Sequence, residues 1–208
     1  MQDFVVDSRG TFRRCFLATS AAINAFKFAR PVIGVDGTHM TSEFKGILLI
    51  ACCKDGLDRI VPLAYAYVHV ENADNWTWFL GLVKSAFHES LAHHRLPNIV
   101  IISDRQKGLL NAVGSVFPSS HHALCVIHLV ENVKRMFGSK VSEKIWLIAK
   151  SKSIAQYDRL LDVVGKLNPE AKAYLAAIEK AEWVDAFFPG RRFGYYTSNI
   201  CESINAHI

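Results

Sequence analysis

The order of elements predicted along the 208 residues indicates an α/β protein built on a mixed sheet. Two patterns support this class. The first part of the chain carries strand-like segments joined by short turns, which is typical of antiparallel strands. The middle part alternates apolar strands with amphipathic helices, which is typical of parallel strands. A long helical segment follows both.

The antiparallel part contains a lead-in and three longer strands. Residues 11–19 have a strand-like composition, and residues 20–29 predict a short helix capped by Ser20. The three longer strands are predicted at 32–38, 45–53 and 59–70. Asp-Gly within 54–58 predicts a hairpin turn, and Pro62 predicts a bulge or an unpaired edge position.

Helices and strands alternate in the middle of the chain. Residues 72–91 predict a helix with one apolar face formed by Trp76, Phe79, Leu80, Val83 and Phe87. A buried strand at 98–103, a helix at 105–117 and a strand at 121–128 follow, the last running into another helix. This order matches an RNase H-like fold, in which an antiparallel meander precedes strands that alternate with helices.

Four regions are predicted from these patterns. Residues 1–30 form a lead-in strand and helix, and residues 31–138 form the RNase H-like core. Residues 139–188 read as helical throughout and predict an insertion before the last helix of the core. That last helix, within 189–208, is expected to be cut short by the chain end.

Composition excludes several classes of protein. Half of the residues are hydrophobic and 21% are charged, which excludes a disordered chain. No apolar run approaches the roughly 20 residues that span a bilayer, and the first residues lack the apolar core of a signal peptide. Five cysteines without CxxC spacing indicate reduced thiols used as small core residues. The net charge of +5 weakly favours a polyanionic partner.

Three acids stand out by their position. Asp36 is predicted to end the first strand of the core, Asp104 the fourth, and Glu202 lies on the last helix. In an RNase H-like sheet the first and fourth strands are neighbours, so Asp36 and Asp104 would lie side by side. Adjacent carboxylates repel each other unless a cation offsets them, and their oxygens suit Mg²⁺ or Mn²⁺. Two such ions about 3.5–4 Å apart support phosphoryl transfer.

Each acid also has a purely structural interpretation. Asp36 precedes a glycine and reads equally as a turn residue. Asp104 reads as the N-cap of the following helix. Glu202 reads as a solvated glutamate in a first helical turn, where the helix dipole favours an acid. The local sequence leaves these alternatives open.

Several motifs in order resemble the plant Mutator-like element (MULE) transposases. They are DGTHM, the long run KGILLIACCKDGLDRIVPLAYAYVHVENADNWTWFL, ISDRQKGLLNAV, HHALCVIHLVENVK and YYTSNICESIN, which together span about 32–208. The resemblance implies a DDE transposase core that cuts and joins DNA. It places the catalytic, metal-binding acids at Asp36, Asp104 and Glu202, with two Mg²⁺ or Mn²⁺ ions.

The resemblance also assigns roles to other side chains. The family's Cys-x-x-His pattern falls on Cys125 and His128, and it implies that His128 contacts the scissile phosphate or orients the water. The alternatives are half of a zinc site, or a buried cysteine with a histidine at a helix start. Arg105 and Lys107, with Lys134, are candidates for contacts with the DNA backbone, and solvated charges are the alternative. His39 is a candidate for the same site or a surface turn.

Two functions remain after the sequence is read. The first is a DDE transposase that acts on DNA in the nucleus, as a homodimer or a larger assembly on paired ends. The alternative is a domesticated derivative that binds DNA and regulates transcription without catalysis. The predicted helical insertion disfavours a nuclease of RNA–DNA hybrids.

Overall fold

A computed structural model describes residues 1–40, 45–94, 98–198 and Cys201. Its strands are β1 (Gln2–Val6), β2 (Phe12–Leu17), β3 (Val32–Met40), β4 (Gly46–Lys54), β5 (Ile60–Val68), β6 (Val100–Ser103) and β7 (His121–Leu124). Its helices are α1 (Ser20–Phe26), α2 (Ala73–Ala86), α3 (His88–His94), α4 (Lys107–Val116), α5 (Val126–Phe137), α6 (Ser139–Ser142), α7 (Ile145–Ala149), α8 (Ile154–Leu167), α9 (Pro169–Ala176) and α10 (Lys180–Trp183). The predicted α/β class with a mixed sheet is confirmed.

The seven strands form one sheet in the order β1-β2-β5-β4-β3-β6-β7. The pairs from β1 to β3 are antiparallel, whereas β6 is parallel to β3 and β7 is parallel to β6. The register of β4 against β5 shifts next to Pro62, which pairs with Cys52, whereas Ala51 pairs with Ala64. The bulge predicted from Pro62 is therefore confirmed.

The lead-in contains one more strand than the sequence patterns predicted. β1 pairs with β2, and β2 extends the sheet beyond β5. Aromatic rings tie these strands together, since the ring centroids of Phe4 and Phe12 are 5.1 Å apart and those of Phe12 and Tyr67 are 5.5 Å apart. Cross-strand aromatic contacts of this kind stabilise neighbouring strands.

One face of the sheet packs against α1, α2 and α4 around a large apolar core. Trp76, Phe79, Leu80 and Val83 of α2 are fully buried there, as the helical spacing predicted. Asn72 caps α2 by accepting a hydrogen bond from the Asn75 amide at 2.9 Å. The predicted single helix over 72–91 is wrong in one respect, because it is divided into α2 and α3 after Ala86.

Residues 139–183 contain five helices of 4 to 14 residues, and no strand lies among them. Their apolar side chains, including the fully buried Tyr157 and Trp183, form a second core with α5. This confirms the helical character predicted for the segment, while its boundaries as an insertion stay a prediction.

The strand directions bring several chain segments to one edge of the sheet. β3, β5, β6 and β7 all run the same way, because β5 and β3 are both antiparallel to β4. Consequently α2, α4 and α5, which follow three of these strands, all begin at the edge where the strands end. Helix N-termini carry a partial positive charge, so this edge favours anionic groups.

Candidate metal and DNA site

Asp36 lies within β3, four residues before the strand ends at Met40. It pairs with Ile50, and the pairing with β4 continues without a break to Met40 and Gly46. The prediction that Asp36 ends the strand is wrong, and so is the turn interpretation of Asp-Gly. The side chain is 9% exposed. A carboxylate buried to this degree needs partners that offset its charge.

Asp104 directly follows β6 and lies beside the start of α4. Its Oδ1 accepts a hydrogen bond from the Gln106 amide at 2.9 Å. The N-cap of α4 is Gln106 itself, whose side chain accepts from the Leu109 amide at 2.6 Å. The N-cap interpretation of Asp104 is therefore wrong, and its carboxylate is held in the turn before the helix.

The register of β3 against β6 places the two acids level with each other. Gly34 pairs with Ile102 in the parallel ladder. Asp36 lies two residues further along β3, and Asp104 lies two residues beyond Ile102, directly after β6. Neighbouring strands are about 4.8 Å apart, so the two backbone positions are close. Continued by two residues, this register places the two predicted residues side by side.

A short hydrogen-bond chain fixes the backbone of Asp104. The Ser103 hydroxyl donates to the Asp104 carbonyl oxygen at 2.8 Å, and the Nε2 of His122 lies 2.7 Å from the same hydroxyl oxygen. Burial lowers the pKa of His122 to about 4. The ring is therefore neutral near pH 7, and its Nε2–H donates to Ser103 while the hydroxyl donates onward.

Cys125 and His128 lie at the start of α5, where the charges of the two acids act on His128. The predicted strand 121–128 is wrong over its second half, because Cys125 is the N-cap of α5 and His128 lies in its first turn. The hydrogen bond to Cys125 raises the pKa of His128 to about 9 against the opposing effect of burial, and the charges of Asp36 and Asp104 add to the rise. Although burial alone would raise the pKa of Cys125, its contacts with His128 and Ser198 lower it. The contact between the two side chains therefore lowers the pKa of the thiol and raises that of the imidazole.

Glu202 lies outside the described residues. The chain just before it is tied to the site at three points. The Val126 amide donates to the Tyr196 carbonyl oxygen at 2.8 Å, and the Ser198 amide contacts the Sγ of Cys125 at 3.4 Å. Buried Cys201 then places its Sγ 3.3 Å from the carbonyl oxygen of Gly34, two residues before Asp36.

A buried arginine anchors the segment 187–198, which follows α10 and is here called the connector. Arg192 is 4% exposed, and its guanidinium donates to Asp185 and to the Trp183 carbonyl oxygen. The guanidinium carbon lies 4.8 Å from the ring centroid of Phe188 and 4.6 Å from that of Tyr196. The connector is therefore fixed against the last helix of the helical segment.

The predicted DNA contacts differ in their surroundings. Arg105 donates from Nη1 to the Tyr174 hydroxyl at 2.8 Å, so it ties the turn after Asp104 to α9. Lys107 and Lys134 are exposed. Both lysines remain accessible to a phosphate, whereas Arg105 already has a protein partner.

Glu71 is an acid at this edge that sequence reasoning missed. It lies between β5 and α2, and its Oε1 accepts a hydrogen bond from the Nε1 of Trp76 at 3.0 Å. Burial and the charge of Asp104 raise the pKa of Glu71, while Trp76 and His39 lower it. His39 lies in β3 rather than in a surface turn, and it is exposed. The sequence feature that could have identified Glu71 is its position directly after the predicted strand 59–70, just as Asp104 directly follows the predicted strand 98–103.

The donor set at the edge fits a divalent cation of the hard class. Asp36 and Asp104 offer carboxylate oxygens, which Mg²⁺ and Mn²⁺ prefer. Among the residues that the structure describes, no three His, Cys, Asp or Glu side chains are clustered as a metal site. The described part therefore supplies two acids, and the third predicted ligand, Glu202, lies outside it. The same finding gives no support to a zinc site at Cys125 and His128.

These features define an α/β protein with an acidic site at the edge of a mixed sheet. Residues 32–132 match the family model of the MULE transposase domain. This segment is similar to the MULE transposase domain, and the predicted resemblance is confirmed over these residues. A transposase domain implies DNA as the partner. No curated protein matches the chain. Across the described residues, no helix is both long and apolar enough to cross a membrane.

Proposed function

We propose that this chain is the catalytic domain of a DDE-type DNA transposase with an RNase H-like fold. The observation that carries the proposal is the parallel pairing of β3 with β6, whose last pair, Gly34 with Ile102, lies two residues before both Asp36 and Asp104. The strand order β5-β4-β3-β6-β7, with three antiparallel strands followed by two parallel ones, supports the RNase H-like assignment. The family match over 32–132 supports the transposase assignment.

Asp36, Asp104 and Glu202 are the proposed ligands of two Mg²⁺ or Mn²⁺ ions. Bound there, the ions would supply Lewis-acid stabilisation of the attacking and leaving oxygens in phosphoryl transfer. The chain contributes positioning: the Gln106 amide holds one oxygen of Asp104, and pairing with β4 holds Asp36. This geometry reduces the reorganisation that binding would otherwise require.

His128 is the proposed contact to the scissile phosphate. Its raised pKa, about 9, keeps the imidazolium charged near pH 7, and both acids lie within its electrostatic reach. A charged donor beside the acids would hold a phosphate oxygen in the site. Exposed Lys107 and Lys134 are proposed to contact the DNA backbone further out. We propose a nuclear location and a homodimer or larger assembly on paired DNA ends.

The test is Mn²⁺-dependent nicking of duplex DNA. Asp36→Asn, Asp104→Asn and Glu202→Gln should each reduce nicking at least about 100-fold, because each removes a charged ligand. Asp162→Asn is the control, since Asp162 is an exposed acid of α8 paired with Lys172. Nicking that survives all three substitutions would show that the metal site is wrongly assigned. DNA binding without nicking by the unmodified chain would instead favour the non-catalytic, domesticated alternative.

A further inference from the structure

The connector and the residues around it form a groove that is both basic and aromatic. Its volume is about 390 Å³, within the range of ligand sites. We call it the connector groove. Three cationic side chains, three aromatic rings and one carboxylate line it, namely Lys152, Arg191, Arg192, Phe188, Phe193, Tyr196 and Asp185. The proposed metal ligands are not among the lining residues, so this is a separate surface.

The charge of the connector groove is positive. Its one carboxylate, Asp185, already accepts hydrogen bonds from Arg192, Lys152 and the Tyr196 hydroxyl, which offset its charge. Arg191 is exposed, and within the described ranges it forms no salt bridge. The Lys152 side chain is 75% exposed. Two accessible cations beside a neutralised acid suit a phosphate group.

Phe193 occupies a strained position in the wall of the connector groove. The Tyr195 amide donates to the Arg192 carbonyl oxygen at 2.8 Å, which closes a tight turn. The two central residues of this turn, Phe193 and Gly194, have φ of 51° and 82°. Glycine adopts such angles freely, whereas a bulky side chain rarely does. Strained residues of this kind are concentrated at ligand sites.

The ring of Phe193 gains little from the protein in return for this strain. It is 43% exposed, although it lies beside the accessible cations of the groove. An exposed aromatic ring next to cations is a stacking surface for a nucleic-acid base. In a duplex the bases already stack on each other, so the ring is suited to an unpaired base.

The connector follows β7, the strand at one edge of the sheet, toward the start of α5. A Cβ added at Gly190 would lie 2.4 Å from the Cδ2 of His121, the first residue of β7. Further along, the Tyr196 carbonyl oxygen accepts a hydrogen bond from the Val126 amide, the first residue of α5. An extended strand bound along the connector would therefore lead toward the edge where α5 begins and Asp104 lies.

We propose that the connector groove binds a single-stranded stretch of DNA, with phosphates at Arg191 and Lys152 and an unpaired base stacked on Phe193. This inference rests on the proposed function, from which it takes DNA as the partner. It does not depend on the metal site. Base stacking on Phe193 supplies affinity for unpaired DNA, and the two cations hold the backbone.

The experiment measures DNA binding by fluorescence anisotropy with the whole 208-residue chain, in EDTA. The probes are a labelled thymidine oligonucleotide of about 16 nucleotides and a duplex of the same length. Phe193→Ala should weaken binding of the oligonucleotide about 10-fold and leave duplex binding unchanged, because only the unpaired base stacks. Phe193→Tyr keeps the ring and should bind as the unmodified chain does. Phe28→Ala is the matched control, since Phe28 is 84% exposed and lies outside the groove.

The phosphate contact has its own measurement, the salt dependence of the same binding. Arg191→Ala should reduce the slope of log affinity against log salt concentration by about 0.7, the value for one phosphate contact on a single strand. Phe193→Ala should leave this slope unchanged, because stacking releases no counterion. Arg159→Ala is the control, since Arg159 is an exposed arginine of α8 outside the groove. Tm without DNA should be the same in all these variants.

The outcomes separate this inference from the proposed function. If the unmodified chain does not bind the oligonucleotide, or Phe193→Ala and Arg191→Ala bind it as tightly as the unmodified chain, the inference is refuted. Metal-dependent nicking could still occur in either case. Equal losses in Phe28→Ala and Arg159→Ala would show a nonspecific effect and refute it as well. Because no metal is present, a failure of the proposed metal chemistry would leave the expected binding results unchanged.

Discussion

Asp36 in β3 and Asp104 just after β6 each lie two residues beyond Gly34 and Ile102, the last pair of the parallel ladder between these strands. Two carboxylates held near each other repel unless a cation offsets their charge. A bound divalent cation would remove that repulsion. Metal binding should therefore be visible as a gain in folding stability.

The first prediction concerns that gain. Mn²⁺ at 100 times its Kd should stabilise the unmodified chain by about 2.7 kcal/mol, because it binds the folded state alone. Asp36→Asn should remove the gain, and a thermal denaturation series in rising Mn²⁺ measures it. Asp162→Asn, at an exposed position of α8, should keep the gain. An undiminished rise of Tm in Asp36→Asn would contradict the assignment.

The second prediction tests the contact between the starts of α2 and α4. In Gly108→Ala the new Cβ meets the Ala73 nitrogen and the Gln106 Oε1, each at 2.9 Å. The two helix starts must then separate, at a cost of about 1–3 kcal/mol. Urea denaturation would measure the loss of stability.

Gly114→Ala in the same helix is the matched control. Nothing lies within 4 Å of a Cβ added there. Since alanine is the better residue in a helix interior, this variant should gain about 0.5–1 kcal/mol. Equal effects of the two substitutions would show that the contact at Gly108 has no energetic weight.

The sequence predicted the helices and strands whose hydrophobic pattern is contained in their own residues. The apolar periodicity of α2 and the continuous apolar run of β6 required no knowledge of distant contacts. Asp36 was misplaced because Asp-Gly has a local preference for turns, whereas seven residue pairs with β4 hold it in an extended strand. Long-range pairing of this kind outweighs turn propensity.

The candidate site was predicted only in part for a related reason. Asp36 and Asp104 were predicted from an expected position at strand ends and, with His128, from the family motifs, and of the two acids Asp104 does directly follow a strand. Glu71 was missed because its partners Gly37 and Asp104 are distant in sequence and meet it only in the folded sheet. Its surroundings depend on contacts that no local window contains.

The third prediction concerns the anchor of the connector before Cys201. Arg192→Met should destabilise the protein by about 3 kcal/mol, because it removes a buried charge from Asp185 and a donor from the Trp183 carbonyl. Lys152→Met is the control, since Lys152 pairs with the same Asp185 but its side chain is 75% exposed. The loss of folding stability in Lys152→Met should stay below about 1 kcal/mol. Chemical denaturation measures both, and a Lys152→Met loss as large as that of Arg192→Met would refute the anchor.

The fourth prediction concerns the pH dependence of stability without metal. The pKa of His128 rises from about 6.5 to about 9, with the hydrogen bond to Cys125 as the largest cause and the charges of Asp36 and Asp104 contributing. A raised pKa in the folded state means that the imidazolium stabilises the fold fully below about pH 6.5. That contribution is lost as the pH rises through about 9.

Urea denaturation between pH 6 and pH 9.5 would test this by comparing the unmodified chain with His128→Gln. The difference in the free energy of unfolding should be largest near pH 6 and shrink as the pH rises toward about 9. Cys125→Ser should move this loss to lower pH, because it removes the main cause of the raised pKa. His69→Gln, at an exposed histidine after β5, should leave the profile unchanged. A difference between the unmodified chain and His128→Gln that stays constant over this range would show that His128 does not titrate with the fold.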